Sequence, residues 1–292
     1  MRINHNIASM ITQSSLYRVN VEMGKSLEKL STGLRINRAS DDAAGLGVSE
    51  NLRTQVNGTA QATKNAQDGI AALTVAEGAA NEVSAILQRM RELAVQSSND
   101  TLTSTERSYT NSEFQALSSE IDRIASVTNY NRQELLSTAA GRFGLKTGAG
   151  SGSVLWIDAN NKVGTDSITI TIDTLTTGAI NIGTFGAAGA GNAQFLTSQT
   201  ASTNAISALD TAINSVNTMR SNMGAYINRL EHAINNLNIS NTNQQSAESI
   251  IRDVDFASET SKYTRNQILT QSGTAMLAQA NTVPQSVLSL LK

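Results

Sequence analysis

The chain of 292 residues carries a single proline, Pro284, eight positions from its end. A proline inside a helix costs roughly 3 kcal/mol, because it lacks an N–H and its ring clashes with the preceding turn. Neither flank of the sequence is interrupted in this way. Glycine divides the chain instead: 11 of 20 fall between Gly141 and Gly191, and only Gly224 and Gly273 follow. Two long stretches are left free to be helical, with a glycine-rich segment between them.

Apolar residues recur at helical spacing within both stretches. Leu16, Val19, Met23, Leu27, Leu30 and Leu34 are separated by threes and fours, which sets them on one helix face. After the polar break at 35–42 the pattern resumes at Val48 and runs through Leu73, Val83, Leu87 and Met90 to Ala94. A helix over 48–94 would reach about 70 Å. A third helix is expected over 105–128, with Phe114, Leu117, Ile121 and Ile124 as its stripe and Ser104 and Arg107 bracketing its start. On the far flank the alternation from Ile206 to Leu237 is broken only at Arg220, and helix-compatible sequence continues through Ala280. Even with one break near 238–243, that flank would span roughly 110 Å.

A compact globule of this length is only about 50 Å across. The expected fold class is therefore mainly α: a long antiparallel helical coiled-coil rod formed by the N- and C-terminal flanks, with a small β element in the middle of the chain. That element rests on a change of period. Residues 154–158 and 167–173 read as strands about a turn at Asn160 and Asn161, and Ile168, Ile170 and Ile172 alternate with polar residues as in a half-buried strand. Gly183 to Gly191 reads as loop.

Composition narrows the function. With a net charge of −2 the chain has no basic field for nucleic acid, and without cysteine it has no disulfide, thiolate or cysteine-ligated metal. His5 and His232 lack metal-ligand spacing, and the adjacent carboxylates Asp41 and Asp42 have no histidine or further acid beside them; a helix-capping role suits them better than catalysis. The segment 141–200 contains no histidine, which argues against an inserted enzyme. No apolar run reaches 18 residues and the N-terminus has no cleavable secretory pattern, so neither membrane insertion nor a cleaved signal is expected. No cofactor is implied and the chain is not expected to be an enzyme.

Ser, Thr, Asn and Gln make up 108 of the 292 residues, and aromatics only 4%. The helical stripes accordingly contain many Ala, Ser, Thr, Asn and Gln, each of which gains far less on burial than the 1.5–3 kcal/mol of roughly one Leu. Two readings follow: a weakly stable bundle in a monomer, or terminal flanks that complete their burial in neighbouring copies and are disordered without them.

Two segments carry a family resemblance. Residues 31–46, from Ser31-Thr32-Gly33-Leu34-Arg35-Ile36-Asn37-Arg38 through Ala39-Ser40-Asp41-Asp42-Ala43-Ala44-Gly45-Leu46, resemble the linker signature of bacterial flagellins. Residues 277–291, which include Val283-Pro284-Gln285-Ser286-Val287-Leu288, are similar to the flagellin C-terminus, and 225–231 fit the outer part of its C-terminal flank. The resemblance covers about 1–140 and 200–292. It implies an inner tube domain from 1–42 with 251–292, a helical rod domain of the next shell from 43–140 with 200–250, and a small β/loop surface segment at 141–199 in place of outer domains.

The function implied is that of a structural subunit that polymerises with itself into the hollow helical filament used for swimming. Such subunits are exported unfolded through the flagellar type III apparatus and end up secreted, in the extracellular filament. The implied partners are an export chaperone, the filament cap, hook-associated proteins and Toll-like receptor 5. The linker residues would be Arg35, Asn37, Arg38, Asp41 and Asp42; the receptor or protofilament interface Gln88, Arg89, Arg91, Leu93, Gln96 and Glu113; the chaperone or core helix Val287, Leu288, Leu290 and Leu291. The hook–filament junction protein of the same family is the alternative, and a chemoreceptor signalling rod is a third long helical class, which normally needs a membrane anchor and has no central β segment.

Overall fold

The computed structural model describes residues 6–137, 143, 152–160, 162, 165–180, 182 and 196–290, with side chains through Thr282. The described chain forms α1 (Ile7–Thr32), α2 (Ala43–Ser97), α3 (Ser104–Val127), β1 (Asn129–Tyr130), β2 (Gln133–Glu134), β3 (Ser153–Trp156), β4 (Ser167–Ile170), α4 (Gln199–Arg252) and α5 (Phe256–Leu290). The strands make two antiparallel pairs, β1 with β2 and β3 with β4. The mainly helical class with a small β element is as the sequence predicts; the expected loop at 183–191 lies outside the described residues.

Several boundaries differ from the expectation for local reasons. α2 begins at Ala43, five residues before its apolar stripe resumes at Val48, with Asp42 in the capping role expected of it: its carboxylate accepts the Gly45 N–H at 2.8 Å. α3 is capped by Thr103 rather than by Ser104 and Arg107: the Thr103 hydroxyl and the Glu106 carboxylate exchange bonds with each other's backbone N–H. Arg107 instead donates to the carbonyls of Ser97 and Asn99, tying down the turn before α3. α4 passes through 238–243 unbroken, and the chain turns at 253–255. α5 runs on beyond Ala280 and through Pro284. Proline leaves the carbonyl four residues earlier without its helical partner; here that carbonyl, of Ala280, accepts from Asn6 Nδ2 at 2.8 Å.

Backbone contacts divide the chain into two units, 57–241 and 1–56 with 242–292. The first holds most of the core. Leu73, Leu87 and Met90 of α2, Phe114 and Ile121 of α3, and Leu209, Val216 and Leu230 of α4 are fully buried in one cluster. α2 is long and apolar enough by composition to cross a membrane, but this cluster buries its Leu73, Val83, Leu87, Met90 and Leu93. Ile170 and Ile172 join the same core, and Ser153 pairs with Ile170 and Trp156 with Ser167, so the alternation read from the sequence sets which face is covered.

The β3–β4 pair lies close against α2 where α2 has no side chain. A Cβ at Gly58 would come within 2.5 Å of the Ala159 Cβ, and one at Gly69 within 2.7 Å of Leu155 Cδ2. Asn65, between them, donates to the Trp156 carbonyl at 3.2 Å. Two further polar clamps hold the central segment: Asp122 accepts from both the N–H and the hydroxyl of Thr177 at 2.9 and 2.8 Å, while Asn111 and Ser97 bond the N–H and carbonyl of the buried Leu196.

The second unit is built differently. α1 and α5 run antiparallel, as the pairs Asn6 with Ala280, Asn20 with Thr270 and Ser26 with Glu259 require. The covered positions of α1 include Thr12, Leu16, Val19, Met23, Ser26 and Leu30; those of α5 include Glu259, Tyr263, Asn266, Thr270, Gly273 and Leu277. Both sets alternate by threes and fours, the heptad spacing of a left-handed coiled coil. Among the described residues of this unit, Ile36 is the one buried apolar side chain; the fully covered seam positions are the polar Ser26, Glu259 and Asn266. The Ser26 hydroxyl donates to Glu259 Oε1 at 2.6 Å and Lys262 Nζ to Oε2 at 3.1 Å.

Two outcomes follow. Gly58→Ala should destabilise the 57–241 unit by about 1–3 kcal/mol in urea unfolding, since the rigid Ala159 must move. Gly78→Ala, on the same helix with open space around it, should instead stabilise by about 0.5–1 kcal/mol. The Ser26 hydroxyl, followed by Lys262, holds the Glu259 carboxyl below its usual range. A depressed acid stabilises the fold above its unfolded pKa and loses that contribution as pH falls through the folded one. The α1–α5 pair should therefore loosen below about pH 4, seen as proteolytic cutting within 256–282, and Glu259→Gln should flatten that dependence.

Candidate assembly surfaces and the linker

The linker begins where Gly33 ends α1. Its φ of 74° is the left-handed conformation that lets its N–H close on the Lys29 carbonyl at 2.9 Å. The chain then pairs with the α4–α5 turn: Arg35 N–H donates to the Arg252 carbonyl, Val254 N–H to the Gly33 carbonyl, and Leu34 bridges Asp253 antiparallel. The Arg35 guanidinium donates to the Ile251 carbonyl from two nitrogens. Ile36, 1% exposed, is pressed inward at the centre.

The remaining linker residues lock the turn itself. Asn37 donates to the Leu34 carbonyl, and one Asp41 oxygen accepts the N–H groups of Arg38 and Asn37 at 3.1 and 3.2 Å. The Arg38 N–H is the largest cause holding the Asp41 carboxyl below its usual range. Arg38 also pairs with Glu28 at 3.0 Å, and Glu50 receives both Arg252 and Arg53. A side chain at Gly45 would strike the Asp42 carboxylate at 2.3 Å and Ile36 at 2.9 Å. Thus Arg35, Asn37, Arg38, Asp41 and Asp42 all bind backbone or partner charge, and none is set up for acid–base chemistry.

The α2 ridge carries the second group. Gln88, Arg89, Arg91 and Gln96 are exposed on α2 and Glu113 on α3. Arg89 donates twice to Glu113 at 2.9 and 3.0 Å and once to Glu92 at 3.0 Å, while Arg91 reaches Asp210 of α4 at 2.6 Å. The ridge is thereby tied to both neighbouring helices. Leu93 is 1% exposed and packs into the core beneath. The third group is only partly described: α5 extends to Leu290, but the side chains of Val287, Leu288 and Leu290, and all of Leu291, lie outside the described residues. His5 is also outside them, and His232 is exposed. Among the described residues no cluster of three or more His, Asp or Glu could hold a metal.

A surface not anticipated residue by residue lies on the terminal helices. α1 turns Ile7, Met10, Ile11, Tyr17 and Val21 to the outside, and α5 exposes Phe256, Ile268, Leu269 and Met276. Phe256, Thr260, Thr264, Ile268 and Leu269 line an open groove along α5. The spacing of these residues is itself helical, so a second stripe was legible behind the first.

Comparison with known proteins bears on this arrangement. The family model for the bacterial flagellin N-terminal helical region matches residues 3–140, and that for the C-terminal helical region matches 206–291. A flagellin of Halalkalibacterium halodurans is 45% identical over the whole of both chains, as is a flagellar filament 33 kDa core protein of Treponema phagedenis. Among solved structures, a flagellin of Bacillus cereus is 31% identical, with a TM-score of 0.47 over 60% of this chain and 88% of that one. Matched by the family's models at both ends and by relatives along its entire length, the chain belongs to the bacterial flagellin family.

Proposed function

We propose that this chain is the repeating structural subunit of a bacterial flagellar filament and has no catalytic role. The observation that carries the reading is the contrast between the two units. The 57–241 unit covers its own core, whereas the terminal pair buries almost no apolar side chain and turns a row of large ones outward. A surface of this kind is completed by other copies, and a repeated contact that does not close into a ring generates a helical polymer. The similarity to filament core proteins along the full chain favours this over the hook–filament junction alternative.

In finer detail, residues 1–42 with 251–292 supply the inner tube, 43–140 with 200–250 the next shell, and 141–199 the outer surface of an extracellular filament. The subunit is exported unfolded; a cysteine-free chain with a terminal pair that needs neighbours suits passage through a narrow channel. Val287, Leu288, Leu290 and Leu291 bind an export chaperone before assembly, and the cap and hook-associated proteins meet the polymer at its ends. Released monomer offers Arg89 and Glu113 to Toll-like receptor 5; their ion pair across α2 and α3 fixes the guanidinium in place, with Leu93 supporting it from below. The same ridge, with Gln88, Arg91 and Gln96, faces neighbouring protofilaments in the polymer.

Purified protein under polymerising salt should give long filaments by electron microscopy. Ile268→Asp should raise the critical concentration roughly ten- to a hundredfold, the equivalent of one lost Ile burial, while leaving the urea unfolding of the 57–241 unit unchanged. An unaltered critical concentration would remove the α5 stripe from the assembly surface. In receptor-reporter cells Arg89→Ala monomer should lose about tenfold or more in potency, the scale of one interfacial anchor; equal potency would sink the receptor reading.

A further inference from the structure

The seam between α1 and α5 repeats every seven residues on both helices. A strict heptad has a consequence for register: sliding one helix past the other by seven residues, about 10 Å, places covered positions opposite covered positions again. Periodicity therefore cannot select one alignment along the seam itself, and what pins it at one end is the linker's backbone pairing of Gly33 and Arg35 with Val254 and Arg252. Large buried side chains would select it through shape, but the seam has none that is fully covered.

We propose that two polar locks, Ser26 with Glu259 and Asn6 with the Ala280 carbonyl, carry the register fixed at the linker along the seam of α1 against α5. At the first lock both carboxylate oxygens of the 6%-exposed Glu259 are satisfied, one by the Ser26 hydroxyl and one by Lys262. Sliding by seven residues in one direction sets Glu259 opposite Val19, which offers it no donor; in the other direction it lies opposite Gly33, beyond the end of α1. Burying a carboxylate without its partner is strongly unfavourable. A single polar seam residue is a known way to specify coiled-coil alignment at some cost in stability.

The second lock depends on Pro284. Within α5 the Ala280 carbonyl has no N–H to accept from position 284, because proline has none. Asn6 supplies the missing donor from the other helix while its own Oδ1 caps α1 by accepting the Ser9 N–H at 3.1 Å. A helical carbonyl is normally occupied by its own helix, so the freed one marks a single position along α5. The locks lie near opposite ends of α1. For the filament reading, on which only this consequence rests, a slip would shift the outward stripe of α5 about 10 Å along that of α1 and present neighbours with a different composite surface.

The chain has no cysteine, so alignment can be read with engineered pairs. A Cβ at Gly273 would lie 3.4 Å from Leu16 Cγ, near enough for Leu16→Cys with Gly273→Cys to report the native register. Ser9→Cys with Gly273→Cys reports the slip that sets Glu259 against Val19. Each pair is oxidised in the full-length chain, in sedimented polymer and in the soluble fraction separately. With Glu259→Leu and Asn6→Ala added, the native-to-slipped cross-linking ratio should fall about tenfold or more while helicity is kept, as expected when a polar specificity contact gives way to an apolar one. Glu259→Gln alone, which can still accept from Ser26, should keep the native ratio.

The proposal is overturned if the Leu and Ala variant cross-links only in the native register. It is overturned equally if that variant loses both cross-links, which would mean that the contacts hold the pair together without choosing its alignment, or if Glu259→Gln slips as readily. Failure of the parent cysteine pairs to polymerise would count against the filament reading alone, because the register is then scored in the soluble fraction.

Discussion

Burial is distributed unequally along this chain, and the rest of its organisation depends on that. Folding must offset the ordering entropy of each residue, about 1–2 kcal/mol for the backbone alone, chiefly by removing apolar surface from water. The 57–241 unit does so with a continuous cluster from three helices and a β pair. In the unit formed by the two ends, Ile36 alone is a buried apolar side chain among those described, although α1 and α5 together carry many large ones. Their apolar surface is turned outward, where only another molecule can cover it. A subunit that is self-sufficient in its middle and dependent at its ends is well matched to a polymer of copies of itself.

Where apolar burial is scarce, polar geometry carries specificity. The linker illustrates this: the side chains of Arg35, Asn37, Arg38, Asp41 and Asp42 each satisfy a backbone group or an opposite charge, so a short irregular segment is fixed around the single buried Ile36. The same strategy secures the central segment in the bundle, where Asp122, Asn111 and Ser97 each bond a defined backbone or hydroxyl group. Such bonds are worth about 1 kcal/mol each net, too little to build a fold but enough to choose between arrangements of similar burial.

How much of this was legible in the sequence varied with the range of the interaction. Helical periodicity located α2 to within five residues at either end, and the Ile168–Ile172 alternation identified β4, because both signals are local. The β1–β2 hairpin left almost no trace: its strands have two residues each, and its turn places Asn131 and Arg132 at positive φ, a choice that only the asparagine advertises. The cap of α3 was readable, since Glu106 stands three residues after Thr103 and not after Ser104. Leu93 was readable as core too, three residues after the buried Met90 and four before the buried Ser97. Of the linker's roles the Asp42 cap was readable, being local; the others were not, because the partners of Gly33, Leu34 and Arg35 lie more than two hundred residues away, and nothing near Pro284 in sequence points to Asn6 as the donor for the carbonyl it frees.

The clamps on the central segment have a consequence for how such a chain can change in length. Ile182 is buried before the segment 183–195, and Leu196 is buried and doubly bonded after it. Residues added between two points so held would leave the contacts of Ile182 and Leu196 in place, and for a flexible insert the entropic penalty of closure grows only logarithmically, by about 0.6 kcal/mol for each doubling of length. Two such anchors would serve as the rims of an insertion port: sequence added between them would leave the helical bundle the same molecule.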